Sequence, residues 1–260
     1  MIEATPASPR RRLRKRTIIV TALISLAVVA GALWALDNWA RQQVASYVTE
    51  KVHEVLDSDE PVTVEIAGFS VIAQVLTGSF EQVDVSVDDV TIGEFTGDVE
   101  LRAKGIPTDL ERPVDSVQIA FTVKEESLQQ IAHLLSASAI DSVTLVDSQI
   151  QLATTFSLFG FSVDVGVAVE PFADNGEIGF TPTSVSLNGA TTSVEDLSDT
   201  FGSVAGSLLQ TQSICVASWL PEALTVDDVA VRGDTLVITI SSKTVVLDEA
   251  ALSTLGTCPA

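Results

Sequence analysis

The sequence holds few of the side chains that do chemistry. Its 260 residues include two histidines, two cysteines, one methionine and one tyrosine, and aromatic residues make up 5% of the chain. His53 and His133 each fall inside an expected amphipathic helix, without a second histidine at metal-binding spacing. No H-E-x-x-H, C-x-x-C, G-x-S-x-G or phosphate-binding loop occurs. Zinc ligation by Cys215 and Cys258 would need two further ligands that nothing points to. No catalytic residue, cofactor or metal is therefore expected. Positive charge is scarce as well: 14 Lys and Arg stand against 35 Asp and Glu, for a net charge of -21. Such a surface repels phosphate backbones, which argues against a nucleic-acid partner.

What basic charge there is lies at one end. Arg10, Arg11, Arg12, Arg14, Lys15 and Arg16 precede residue 37 with one acid, Glu3, whereas 8 basic and 34 acidic residues follow it. Between the two lies TIIVTALISLAVVAGALWAL, Thr17 to Leu36, with no charge over 20 residues. A helix of that length rises about 30 Å, the thickness of a hydrocarbon core. The basic cluster is expected to stay cytoplasmic, and Trp34 and Trp39 fall where interfacial aromatics would sit at the outer face. The expected organisation is a cytoplasmic tail (1–16), an anchor in the plasma membrane or an uncleaved signal (17–36), and an extracytoplasmic, periplasmic domain (37–260). Ala30-Gly31-Ala32 also fits a signal-peptidase site; either way the acidic body is exported. An oxidising compartment then favours a disulfide between Cys215 and Cys258 over two buried free thiols.

The body alternates helix and strands. Ala40, Val44, Val48, Val52 and Val55/Leu56 recur at helical spacing after the apolar run. Strands are predicted at 62–66, 80–91, 98–104 and 116–123, with Val83, Val85 and Val87 facing one way and Asp84, Ser86 and Asp88 the other. A helix is predicted over 124–139, strands over 143–146, 149–156, 161–170 and 177–187, a third helix over Ser193–Ile214, and two closing strands over 225–231 and 235–247. Strands joined by short turns predict an α+β fold with antiparallel sheet. The alternation makes Asp84 and Asp88 a solvated strand face, not a catalytic carboxylate pair.

One segment stands out, Gly68-Phe69-Ser70-Val71-Ile72-Ala73-Gln74-Val75-Leu76-Thr77-Gly78. It is apolar and glycine-bracketed, and it either fills a core or lines an apolar cavity. Together with the preceding P-V-T-V-E-I strand and the following S-F-E-Q-V-D-V, it resembles the signature of the LmeA-like phospholipid-binding family of actinobacteria. Members read G-F-P-x-L-x-Q-x-L-x-G there, and Ser70 stands in place of the usual proline. D-V-E-L-R-A-K-G-I-P at 98–107 also fits. The resemblance implies a periplasmic lipid binder with a fold similar to tubular lipid-binding domains, a long curved antiparallel sheet wrapped around amphipathic helices. It carries no catalytic motif.

A cavity for phospholipid or another acyl lipid is expected between this segment (Phe69, Val71, Ile72, Val75, Leu76) and the third helix (Val194, Leu197, Phe201, Val204, Leu208). Two other readings compete: a scaffold that holds envelope protein partners on its sheet or acidic surface, and an envelope enzyme with a site of unfamiliar pattern.

Overall fold

The computed structural model describes residues 10–56, 60–92, 95–109, 111–129, 140–158, 161–174, 176–201, 211–246, 251 and 253–258. The first element, α1 (Arg10–Leu56), is one helix of 47 residues. The apolar run and the amphipathic stretch after it are thus continuous. Among the described residues no helix is long and apolar enough to cross a membrane. The side chains of residues 10–25, which include the first part of the expected span, lie outside the described set.

The α+β reading holds. The strands form two antiparallel six-stranded sheets rather than one long sheet. The first holds β1 (Val62–Ile66), β2 (Ser79–Ile92), β3 (Phe95–Pro107) and β4 (Val114–Lys124), with the short helix α2 (Val71–Thr77) between β1 and β2. The chain then leaves to build the second sheet from β5 (Ser142–Val146), β6 (Gln149–Leu158), β7 (Phe161–Asp174), β8 (Glu177–Leu187), β9 (Ala190–Ser193) and β10 (Gln212–Cys215). The helix α3 (Val194–Phe201) follows β9. It returns with β11 (Thr225–Arg232) and β12 (Thr235–Val245), and β12 pairs with β4, giving the order β1-β2-β3-β4-β12-β11.

This pairing joins residues far apart in sequence into one apolar face. Val62, Val87, Val99, Phe121, Ile238 and Val229 form one row across the six strands by register, and Val64, Val85, Leu101, Ile119, Ile240 and Val226 the next. Two covers act on it, and a third cluster forms within the sheet itself. Ala40, Val44, Val48 and Val52 of α1 pack over the β1–β2 end. The second sheet packs over the β12–β11 end through Val143, Leu145, Ile150 and Val169. Val114, Val117 and Val245 gather with Ala103 along a third margin. The opposite face is polar; Asp84 and Arg102, register partners, form an ion pair of 2.6 Å there, which confirms the solvated role read for Asp84.

The third expected helix is corrected at its C-terminal end. Gln212–Cys215 is a strand, paired with Glu177–Phe180 of β8. Ile214 is exposed and adds nothing to an apolar helical stripe, whereas the open edge of β8 satisfies the backbone amides and carbonyls there. Residues 202–210 and most of the second expected helix, 130–139, lie outside the described residues; 125–129 are helical.

Cys215 and Cys258 are bonded, at a sequence separation of 43. The bond ties the end of β10 to the tail. The tail also meets the 217–222 segment, where Glu222 N–H donates to Thr254 O at 2.8 Å and Gly256 N–H to Leu220 O at 3.0 Å. Closing a loop of this length constrains the unfolded chain by about 3–4 kcal/mol in the loop-entropy model. The double variant Cys215→Ser/Cys258→Ser is expected to lose about that much, read as a lower denaturant midpoint with a steeper slope, because the uncrosslinked unfolded chain exposes more surface. An unchanged midpoint would show that the tail contacts alone hold the C-terminus.

Candidate functional site

The glycine-bracketed segment divides into residues that build it and residues that the fold leaves unused. Gly68 has φ +101°, a conformation open chiefly to glycine, and a Cβ there would meet Gln74 Nε2 at 2.6 Å. The Ser70 hydroxyl caps α2 by accepting from Ala73 N–H at 3.1 Å, and Gly78, at φ 82°, ends the helix. Val71 is fully buried in the α1–β2 core. Gln74 is buried and satisfied, donating to Ala67 O at 2.9 Å and accepting from Glu81 N–H at 2.7 Å. It is therefore a strut between the loop before α2 and the start of β2.

A polar clamp fastens this segment to α1. The Ser70 hydroxyl donates to Asp37 Oδ1 at 2.7 Å, and Ile72 N–H donates to the same oxygen at 3.1 Å. Arg41 donates to Ile66 O and, at 3.3 Å, to Gly68 O, and its guanidinium lies 3.7 Å from Asp37. Ser70 thus gives a physical role to the departure from proline, which could neither cap the helix by a side chain nor donate to Asp37. The Ser70 hydroxyl, then the Ile72 amide, hold the Asp37 carboxyl below its ordinary pKa; partial desolvation opposes them, and the Arg41 charge adds to them.

The remaining apolar side chains of the segment face outward. Phe69 is 102% exposed, Leu76 83%, Val75 49% and Ile72 37%. Of the five residues expected to line a cavity from this segment, only Val71 is inside, and it fills a core. On the other side, Val194 and Leu197 of α3 are half-buried. The side chain of Phe201 and residues Val204 and Leu208 lie outside the described residues. The two groups sit on different sheets: α2 packs on β2 and α1, α3 on β8 and β9.

A different apolar surface emerges from the register. Val99, Leu101, Ile119, Phe121, Ile238 and Ile240 are half-buried, as two rows of three on the adjacent strands β3, β4 and β12. Buried side chains bound them on every side. Val85 and Val87 lie toward α1, Val226 and Val229 toward the far edge, Val123 and Leu236 along one margin, and Ala103 and Val117 along the other. Among the described residues, this window lies where the three core clusters meet without closing. Strands about 4.8 Å apart and same-face residues about 7 Å apart give it roughly 10 by 7 Å. It offers no titratable group and no nucleophile, so it can bind apolar matter and little else.

The family model for LmeA-like phospholipid-binding proteins matches residues 31–241. The chain belongs to the LmeA-like phospholipid-binding family. No curated protein and no solved structure matches it. The match takes in the last six residues of the apolar run, the clamp, α2 and both rows of the window, so the LmeA-like signature and the apolar face are parts of one family unit. The six window residues were not among the expected site residues. The alternation in SVQIAFTV and TLVITI marks both strands, but only the β4–β12 pairing sets their side chains beside each other.

The clamp predicts a measurable local effect. In Asp37→Ala the Ile72 amide is expected to exchange with solvent faster, while the Val85 amide on β2 keeps its protection. Because the carboxyl's pKa in the folded chain is depressed below its free value of 3.8, the clamp contributes fully above that pH and is lost as pH falls through the lower, folded value. Equal exchange at Ile72 in both proteins would remove the clamp from the account.

Proposed function

We propose that this protein is a membrane-tethered, non-catalytic phospholipid-binding protein of the cell envelope. Residues 17–36 span the plasma membrane with the basic tail in the cytoplasm. The body from Asp37 onward lies on the periplasmic side and takes part in envelope lipid or lipoglycan metabolism or transport. Family membership supports the lipid, and the single observation that carries the binding mode is the half-buried apolar window on the first sheet. Each methylene moved from water onto such a surface gains about 0.8 kcal/mol, so an acyl chain laid along it binds without any reactive group. The proposed architecture is akin to tubular lipid-binding domains, with α1 and the second sheet as walls over the apolar face.

The anchor is supported by the charge asymmetry and by the charge-free 20 residues. A tether of this kind keeps the lipid-binding face near its source of lipid, so that transfer or storage needs no free diffusion.

A photo-crosslinking side chain at position 119 of the full chain, in its native membrane, tests the window. The expected result is a phospholipid-mass adduct at Ile119 and none at Ala120, whose side chain points to the opposite face. Adducts to protein at position 119, with no lipid, would replace lipid binding by the scaffold reading.

A further inference from the structure

Among the described residues, the exposed face of α2 has no packing partner. Ile72 and the Val75–Leu76 pair recur at helical three- and four-residue steps on α2, which places them on one side of it, and Phe69, one residue before the Ser70 cap, is fully exposed. Nothing in the described chain covers them, and α2 is held by its other side, through Val71 and Gln74. Three observations say what does cover them.

The first is the clamp. Asp37 is the residue directly after the charge-free run, and its carboxylate bonds Ser70 and Ile72 at the start of α2. The short helix is therefore fixed level with the point at which α1 leaves the apolar run. The second is charge. Ile66 to Phe80 holds no charged residue, between Glu65 and Glu81, in a chain with 35 acids. A surface meant for water in this protein carries acids, and this one carries none. The third is the pair of exposed tryptophans on α1, Trp34 and Trp39, which bracket the same level. Tryptophan is enriched where hydrocarbon gives way to headgroups.

We propose that α2 is a membrane-docking helix, whose Phe69, Ile72, Val75 and Leu76 side chains insert into the outer leaflet of the bilayer that α1 spans. This rests on the reading of residues 17–36 as a membrane span. The Asp37–Ser70–Arg41 clamp sits at headgroup depth and fixes the tilt of the body on the membrane. The amphipathic half of α1 and the first sheet then rise from the surface, with the apolar face starting at the bilayer.

The test uses the full chain in vesicles of phosphatidylethanolamine and phosphatidylglycerol. A polarity-sensitive fluorophore is placed on one introduced cysteine at a time, Leu76→Cys, Gly31→Cys or Thr191→Cys; the native pair is bonded and does not compete for label. Quenching is read with lipid-borne nitroxides at shallow and deep positions and with aqueous iodide. The proposal expects the Leu76 site to lose more than half its emission to the shallow nitroxide and to be shielded from iodide. The Thr191 site, on β9 of the second sheet, shows the reverse. A Gly31 site quenched by the deep nitroxide, with a Leu76 site as open to iodide as Thr191, would overturn the docking helix and leave the span standing. Iodide quenching at all three sites would overturn the span, and the docking helix with it. A Leu76 site shielded from iodide yet untouched by either nitroxide would assign the face to a protein surface instead and overturn the proposal.

Discussion

The pairing of β4 with β12 is the constraint from which the rest follows. Ten register pairs run from Thr235↔Lys124 to Val245↔Val114. They join a strand from the first half of the chain to one made after the entire second sheet. Without them the first sheet would stop at β4, and the apolar rows that begin at Val62 and Val64 would end at Phe121 and Ile119. With them the face continues to Val229 and Val226, where the second sheet can cover it. A connection so long is entropically costly to close, and the buried Val226, Val229, Val231, Leu236 and Val245 of the β11–β12 hairpin offset that cost. Among the described residues, the same pairing leaves a place between two covers that neither reaches fully.

The signature segment shows how one short motif serves two purposes. Gly68, Ser70, Val71, Gln74 and Gly78 are accounted for by backbone conformation, capping, core packing and a buried strut. Those roles set where α2 begins and ends and which way it faces. What is left, Phe69, Ile72, Val75 and Leu76, meets no demand of the fold. Exposed apolar side chains gathered in this way on a rigidly held helix mark an interaction surface. The two apolar surfaces, one outward on α2 and one half-covered on the sheet, lie at the two ends of the same β2–β3 core.

Local pattern revealed the elements and little of their arrangement. Alternation at 80–91 and 116–123 located β2 and β4, and the valines at 44, 48 and 52, four residues apart, located the face of α1 that packs on β1 and β2. The exported context argued for the Cys215–Cys258 bond, which the structure contains. The division into two sheets was not visible, because nothing in strand periodicity says that the last hairpin returns to β4. Ile214 was misassigned for a related reason: its apolar character fitted a helix stripe, while the decisive partner was the edge of β8, some 35 residues back in the chain. The half-buried window is built from ordinary alternating strands and exists only through register, so no local pattern marks it.

The window on the first sheet is proposed to hold an acyl lipid. Native mass spectrometry of the full chain, released gently from its own membrane, measures this most directly when wild type is compared with Ile119→Trp/Ile240→Trp. Those two residues are register partners, and two indoles would fill the window. The account predicts that wild type carries one phospholipid mass and that the double variant, with its disulfide and strand content intact, carries none. Equal lipid on both proteins, or none on either, would contradict it.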